Sequence, residues 1–229
     1  MKGTMGKGLS RSIEDYLKVI YKLQADSGSA HTSAIAEALS IAAPSVSGMV
    51  KRLAEAGLLE HSRYRGVRLT VDGQQQALRM LRRHRIIESY LIEGLNYDWH
   101  NVHEEAERLE HAVSDDLIDR MDRALGRPSH DPHGAPIPTA EGEIESPNYV
   151  RMTDLEVGSA GQFRMVGDKD SERLQFIASL GLRPGVAFDV VARQPFNGPL
   201  TIRLEGDREE LIGYELARSL QCEKVGSKT

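Results

Sequence analysis

The hydrophobic period of this chain of 229 residues changes near residue 126, and that change limits the folds open to it. Up to Leu125 apolar side chains recur mostly at intervals of three and four, the period of helices packed on one face. Beyond residue 149 they fall into short stretches separated by Gly and Pro, the pattern of strands. Residues 127–149 contain five of the nine prolines and little periodicity, so they are read as a linker. Such a chain is mainly α with β, and its helical and β parts form separate domains.

The helical part subdivides. Ile13, Tyr16, Leu17, Ile20, Tyr21 and Leu23 make one amphipathic face over Ser12–Gln24, and Thr32–Leu39 makes a second helix. Pro44 opens a third, through Val46, Met49, Val50 and Leu53, that Gly57 closes. Leu58–Val71 alternates around Tyr64-Arg65-Gly66 as a β-hairpin does. Three helices and a hairpin predict a winged helix-turn-helix over residues 1–73. Helices at Gln74–Ile92, Trp99–Val113 and Asp115–Leu125 predict a second, helical domain over 74–126. Candidate strands at Gln162–Val166, Ala187–Ala192 and Leu200–Leu204 predict a small SH3-like β-barrel over 150–229.

Charge separates the same regions. Lys and Arg outnumber Asp and Glu by 13 to 7 in residues 1–83, are outnumbered 15 to 5 in residues 84–150, and nearly balance, 11 against 12, in the rest. The net charge of −5 therefore conceals a basic, anion-binding head beside an acidic, cation-binding middle. No segment approaches the ~20 apolar residues of a membrane span, and Met1–Ser10 lacks the apolar core of a signal peptide. A single cysteine, Cys222, forms no internal disulfide, which suits a reducing cytoplasm.

In the basic head, Pro44, Ser45 and Ser47 open the helix that enters the major groove in helix-turn-helix proteins, where they reach base edges and phosphates. Lys51 and Arg52, with Arg63 and Arg65 at the wing tip, supply phosphate contacts. The bland alternative is a small packed unit with solvated arginines. In the acidic middle, His103, Glu107, Glu110 and His111 recur within neighbouring helical turns, and His84 and Glu88 lie four apart on the preceding helix. Paired helices each presenting imidazole and carboxylate are how helical proteins build a divalent-metal site. A solvated face accounts for the glutamates but not for histidines in register. His130 and His133, at spacing three beside Pro132 and Gly134, offer either ligands or, the favoured reading, turn residues; Trp99 reads as packing, Cys222 as a core thiol, and His31, His61 and His100 as solvated.

Glu14-Asp-Tyr-Leu, Ala43-Pro-Ser-Val-Ser, Arg83-His-Arg, the run from Val102 to His111 and the Gly134-Ala-Pro-Ile-Pro turn together resemble the diphtheria toxin repressor family of metal-dependent regulators, in its three-domain form. The resemblance covers nearly the whole chain. It implies a homodimer that binds double-stranded operator DNA when Mn(II) or Fe(II) fills its sites and represses metal-uptake genes, with no enzymatic activity, membrane or small-molecule substrate. It implies a primary site of Asp15, Glu107, Glu110 and His111, and an ancillary site of His84, Glu88 and His103 to which the SH3-like domain adds Asp170 with Glu172 nearby. Asp15 stands where iron-regulated members carry methionine, and Glu107 where they carry cysteine. Both exchanges replace sulfur by oxygen, which favours Mn(II) over Fe(II). Lys18 stands where two-domain manganese regulators carry a second carboxylate, which favours two separate sites over a bridged pair. Gly48 replaces a longer polar residue and leaves fewer base contacts. The rival from another class is a di-metal enzyme, but no nucleophile or general base accompanies the cluster.

Overall fold

The computed structural model describes residues 9–62 and 66–225. These divide into two compact units, one within Met1–Arg83 and Pro138–Ile144, the other within His84–Ile137 and Glu145–Thr229.

The first unit is built from α1 (Arg11–Ser27), α2 (Thr32–Leu39), α3 (Ala43–Glu55), the antiparallel hairpin β1 (Leu59–Ser62) and β2 (Gly66–Leu69), and the start of α4 (Val71–Leu95). Its core gathers the predicted apolar faces: Tyr16, Leu17 and Ile20 of α1 meet Ile35 of α2, Val46, Val50 and Leu53 of α3, and Leu59 and Val67 of the hairpin. Gly28 takes the left-handed conformation that ends α1, and Ala30 then exchanges two backbone hydrogen bonds with Val67, of 3.0 and 2.8 Å. Gly66 is required there, because its φ is +77° and a Cβ would lie 2.6 Å from the Ala30 carbonyl oxygen. The long helix begins at Val71 rather than Gln74, because the Thr70 hydroxyl accepts the Gly73 N–H at 3.1 Å and caps it early.

In the second unit the end of α4 packs with α5 (Val102–Leu109) and α6 (Asp115–Ala124) around Ile86, Ile87, Leu91, Val102, Ala106 and Ile118. The helix expected over Trp99–Val113 is shorter at both ends. Glu110 and His111 lie in the turn just after α5, and Ser114 caps α6 by accepting the Leu117 N–H at 3.3 Å. The SH3-like part is a six-stranded antiparallel sheet formed by β3 (Val150–Arg151), β4 (Ala160–Met165), β5 (Ala187–Arg193), β6 (Leu200–Arg203), β7 (Glu209–Ile212) and β8 (Gln221–Val225), in the order β3-β8-β4-β5-β6-β7. Two helices, α7 (Ser171–Ser179) and α8 (Tyr214–Ser219), punctuate it. Phe163, Leu174, Ile177, Phe188, Val190, Ile202, Ile212 and Cys222 form its core, and Trp99 and Ile92 of the helical part pack into the same cluster.

The Pro-rich stretch is ordered around one close approach. Val166 N–H donates to the His133 carbonyl at 3.0 Å, and a Cβ on Gly134, whose φ is +88°, would lie 1.7 Å from the Arg164 carbonyl oxygen. Glycine at 134 thus lets the turn press against the end of β4, which fixes where the following loop, carrying Asp168, begins.

Candidate metal centre

His84 and Glu88 lie one turn apart on α4, and their side chains are 1% and 0% exposed. A buried charge needs a partner. His84 Nε2 is 3.0 Å from Glu88 Oε1, and His103 on α5 brings Nδ1 to 3.0 Å from that nitrogen and 3.2 Å from that oxygen. The loop between β4 and α7 adds Asp168, whose Oδ2 is 3.7 Å from His84 Nε2 and 3.5 Å from His103 Nδ1. Two nitrogens and two carboxylate oxygens thus converge, with five of their six separations between 3.0 and 3.7 Å and all four residues offering ligand atoms within 4.8 Å of one another. A point at the centre of a tetrahedron with edges of this size lies about 2 Å from each corner, the length of bonds from nitrogen and oxygen ligands to a divalent metal. The donor set therefore fits such an ion.

A second group surrounds the first. Glu110, itself fully buried, accepts the His84 Nδ1–H at 2.6 Å, which fixes the tautomer and aims Nε2 at the centre. Its other oxygen is 3.3 Å from His111 Nε2. His84, Glu107 and Glu110 each offer a ligand atom within 4.8 Å of the others, and Glu107 Oε1 is 3.7 Å from His103 Nε2. Glu110 thus joins the second group to the first through its hydrogen bond to His84.

Electrostatics follows from this crowding. Burial opposes a charge on His84, yet Glu88, Asp168 and Glu110 outweigh it and hold the imidazole pKa well above its usual value. Burial likewise opposes ionised Glu88, and His84, His103 and His133 outweigh it, so that carboxylate lies well below its usual value. Protons here do what a cation would do: they compensate converging acceptors around the buried His84 and Glu88.

The structure brings together His84, Glu88 and His103, and beside them Glu107, Glu110 and His111. Asp15 lies half-buried on α1, in the first unit. Asp170 and Glu172 do not join the cluster. They are exposed at the start of α7, where Asp170 accepts the Arg173 N–H at 2.9 Å as the helix cap. The loop residue that does reach the centre, Asp168, carried no signal in the sequence, since an irregular loop has no period to read. His133, read as a turn residue in preference to a ligand, is 1% exposed, and its Nδ1 is 3.7 Å from Glu88 Oε2. Trp99 packs as expected, donating its indole N–H to the Pro132 carbonyl at 2.7 Å.

On α3, Pro44, Ser45, Ser47, Lys51 and Arg52 all face solvent, opposite the buried Val46, Val50 and Leu53. Lys51 is only loosely engaged, 3.9 Å from exposed Glu55, so little free energy opposes its transfer to a phosphate. Arg63 and Arg65 lie outside the described residues.

Family models match three consecutive parts of the chain: "Iron dependent repressor, N-terminal DNA binding domain" at residues 8–67, "Iron dependent repressor, metal binding and dimerisation domain" at 70–139, and "FeoA domain" at 150–224. The chain is 33% identical to the diphtheria toxin repressor of Corynebacterium glutamicum over 230 residues, covering 96% of this chain and 99% of that protein. It is 31% identical to the iron-dependent repressor IdeR of Mycobacterium tuberculosis over 224 residues, covering 93% and 96% of the two. Among solved structures, a manganese-dependent transcriptional repressor in complex with manganese superposes with a TM-score of 0.87 at 36% identity, over 93% of this chain and 100% of that one.

Proposed function

The chain belongs to the diphtheria toxin repressor family, and from that premise we propose that it is a manganese-activated homodimer that binds operator DNA in the cytoplasm and represses metal-uptake genes. At the coarser level it is a metal-dependent transcriptional repressor, since DNA-binding, metal-binding and SH3-like domains follow one another along its length. Its relatives are repressors, not enzymes.

The observation that supports this reading best is the convergence of His84, Glu88, His103 and Asp168, each offering a ligand atom within 4.8 Å of the others. We assign these four to the ancillary centre. We assign Glu107, Glu110 and His111 to the primary centre, with Asp15 of α1 as its fourth ligand on the family resemblance alone. A bound divalent ion supplies the positive charge that the clustered carboxylates require. On this assignment, Asp15 makes occupancy of the primary centre felt by the DNA-binding unit, and operator affinity is linked to metal binding. The exposed face of α3 is the part that meets the groove, with Pro44, Ser45 and Ser47 toward bases and Lys51 and Arg52 toward phosphates.

Manganese is favoured because Asp15 and Glu107 are hard oxygen donors where iron-regulated members carry sulfur. Affinity at most nitrogen and oxygen sites still rises from Mn(II) to Fe(II), so the preference is relative: carboxylates withhold the added advantage that sulfur gives softer ions. Operator binding measured anaerobically with each ion, with and without chelator, tests both levels. Stimulation by metal and its loss on chelation are expected. Asp15→Met with Glu107→Cys should move the ratio of Mn(II) to Fe(II) activation toward iron. An unchanged ratio in a double variant that still binds metal removes the basis for manganese.

A further inference from the structure

The β5–β6 hairpin ends in a turn that its sequence does not favour. Gly198 N–H donates to the Pro195 carbonyl and Gln194 N–H to the Pro199 carbonyl, each at 3.1 Å, which closes the turn on Phe196 and Asn197. Both take positive φ, +59° and +56°. Asparagine and glycine suit that conformation, whereas a bulky side chain at its first position is strained. Packing within the chain does not offset the strain, because Phe196 is 100% exposed. A strained backbone and a solvated aromatic ring at one residue both point to a contact outside the chain.

The same hairpin carries a hollow at its other end. Val225, Ala160, Asp189 and Arg203 are successive register partners across β8, β4, β5 and β6, so their side chains share one face of the sheet. Gly158, Ala160 and Ala187 leave that end of the sheet low, and Val186, Phe188 and Val225 line it with apolar surface. Its volume is about 900 Å³, larger than one phenyl ring and with room for the turn that carries it. About 3.3 Å per residue puts Phe196 roughly 20 Å from Asp189, so the tip does not fold back into the hollow of its own chain. A second copy can supply one. Charge agrees with this: Asp189 and Glu205 line the hollow and are exposed, Arg203 beside them is already paired with Glu209 at 2.9 Å, and Arg193 stands at the root of the tip.

We propose that the Phe196 tip of one copy docks in this hollow of a second copy, which makes the SH3-like part a self-association surface that joins dimers. The dimerisation domain matched by the family model spans residues 70–139, and neither tip nor hollow lies there. Tip and hollow are different places on one surface, so the contact is heterologous, and each copy can both give and receive. A hairpin tip is a small contact, so the association is weak and transient in solution. Two dimers held on neighbouring operators meet at high effective concentration, and occupancy of one operator then favours occupancy of the other. The inference is independent of the metal centres and takes from the proposed function only the homodimer.

Sedimentation of the full-length protein in saturating Mn(II), from about 10 μM to about 1 mM, reads the contact as mass above the dimer. Phe196→Asn removes the ring and gives the turn a residue it favours, so the thermal midpoint holds or rises while the mass stays dimeric. Ala187→Arg fills the hollow from an exposed position and sets a cation against Arg193, with the same loss of larger species. Phe196→Tyr keeps an aromatic ring and keeps the larger species. Neither disabled variant associates alone, but their equimolar mixture does, since Ala187→Arg retains its tips and Phe196→Asn its hollows.

Larger species in either disabled variant alone, none in the mixture, or a mass that never exceeds the dimer in the unsubstituted protein overturns the inference. A monomer at the lowest concentration counts against the homodimer of the proposed function instead, and the inference then stands or falls on the mixture.

Discussion

The two carboxylate–imidazole groups built on α4, α5 and the turn after α5 meet at the His84–Glu110 hydrogen bond and differ in what completes them. His84, Glu88, His103 and Asp168 all belong to one compact unit, so folding that unit suffices to assemble them. Glu107, Glu110 and His111 belong to the same unit, but the fourth ligand proposed for them, Asp15, is carried on α1 in the other. A centre complete within one folded unit stabilises that unit when filled. A centre whose ligands are divided between units can report its occupancy to the second unit. On the proposed assignment, the contrast separates a centre that stores affinity from one that transmits it.

The largest expected effect tests the transmitting centre. Glu110→Gln leaves an acceptor for His84 Nδ1 but removes the charge, and His111→Ala removes a donor at the end of α5. Each should abolish metal-stimulated operator binding while the dimer persists, read by mobility shift with and without chelator and by sedimentation. Stimulation that survives both substitutions would mean the division of labour is wrong.

The next effect is on the storing centre. Asp168→Ala removes one of four ligand atoms and should lower affinity there about tenfold or more while the primary centre still activates DNA binding. Equal loss at both centres would show that they are a single cooperative unit.

Acid sharpens the contrast further. Metal must displace the proton held on His84, so affinity rises with pH. In the metal-free chain the raised His84 pKa contributes stability that is complete below the unfolded value and is lost as pH rises through the folded one. Both effects act in one direction. The difference in thermal midpoint between loaded and metal-free protein should therefore grow between about pH 6 and about pH 8. A gap that shrinks with pH would exclude a protonated His84 as the metal's competitor.

The smallest effect separates neighbours in one loop. Asp170→Ala should cost about 1 kcal/mol of stability through loss of the α7 cap and leave metal binding unchanged in a denaturation and titration pair. Lost metal affinity there would return Asp170 to the centre in place of Asp168.

Much of this protein is set by local pattern. The helical period located α1 to α6, and four-residue spacing put His84 beside Glu88, because one turn of helix carries them to the same side whatever the helix packs against. The charge reversal between residues 1–83 and 84–150 likewise needs no coordinates. Other features have no local period. β8 enters the sheet between β3 and β4, so its strand character comes from partners distant in sequence, and β7, which begins Glu209-Glu210 without an apolar alternation, is a strand through its pairing with β6. The same limit separates Asp168 from Asp170. Both are loop aspartates two residues apart, and Asp170 sits just before a helix, where local chemistry makes a cap, while Asp168 is delivered to the centre by the packing of the Gly134 turn on β4. His133 was legible as a turn residue because Pro132 and Gly134 flank it; that its ring faces Glu88 follows only from the tertiary fold, since turn chemistry specifies a backbone path and burial decides which side chains that path brings together.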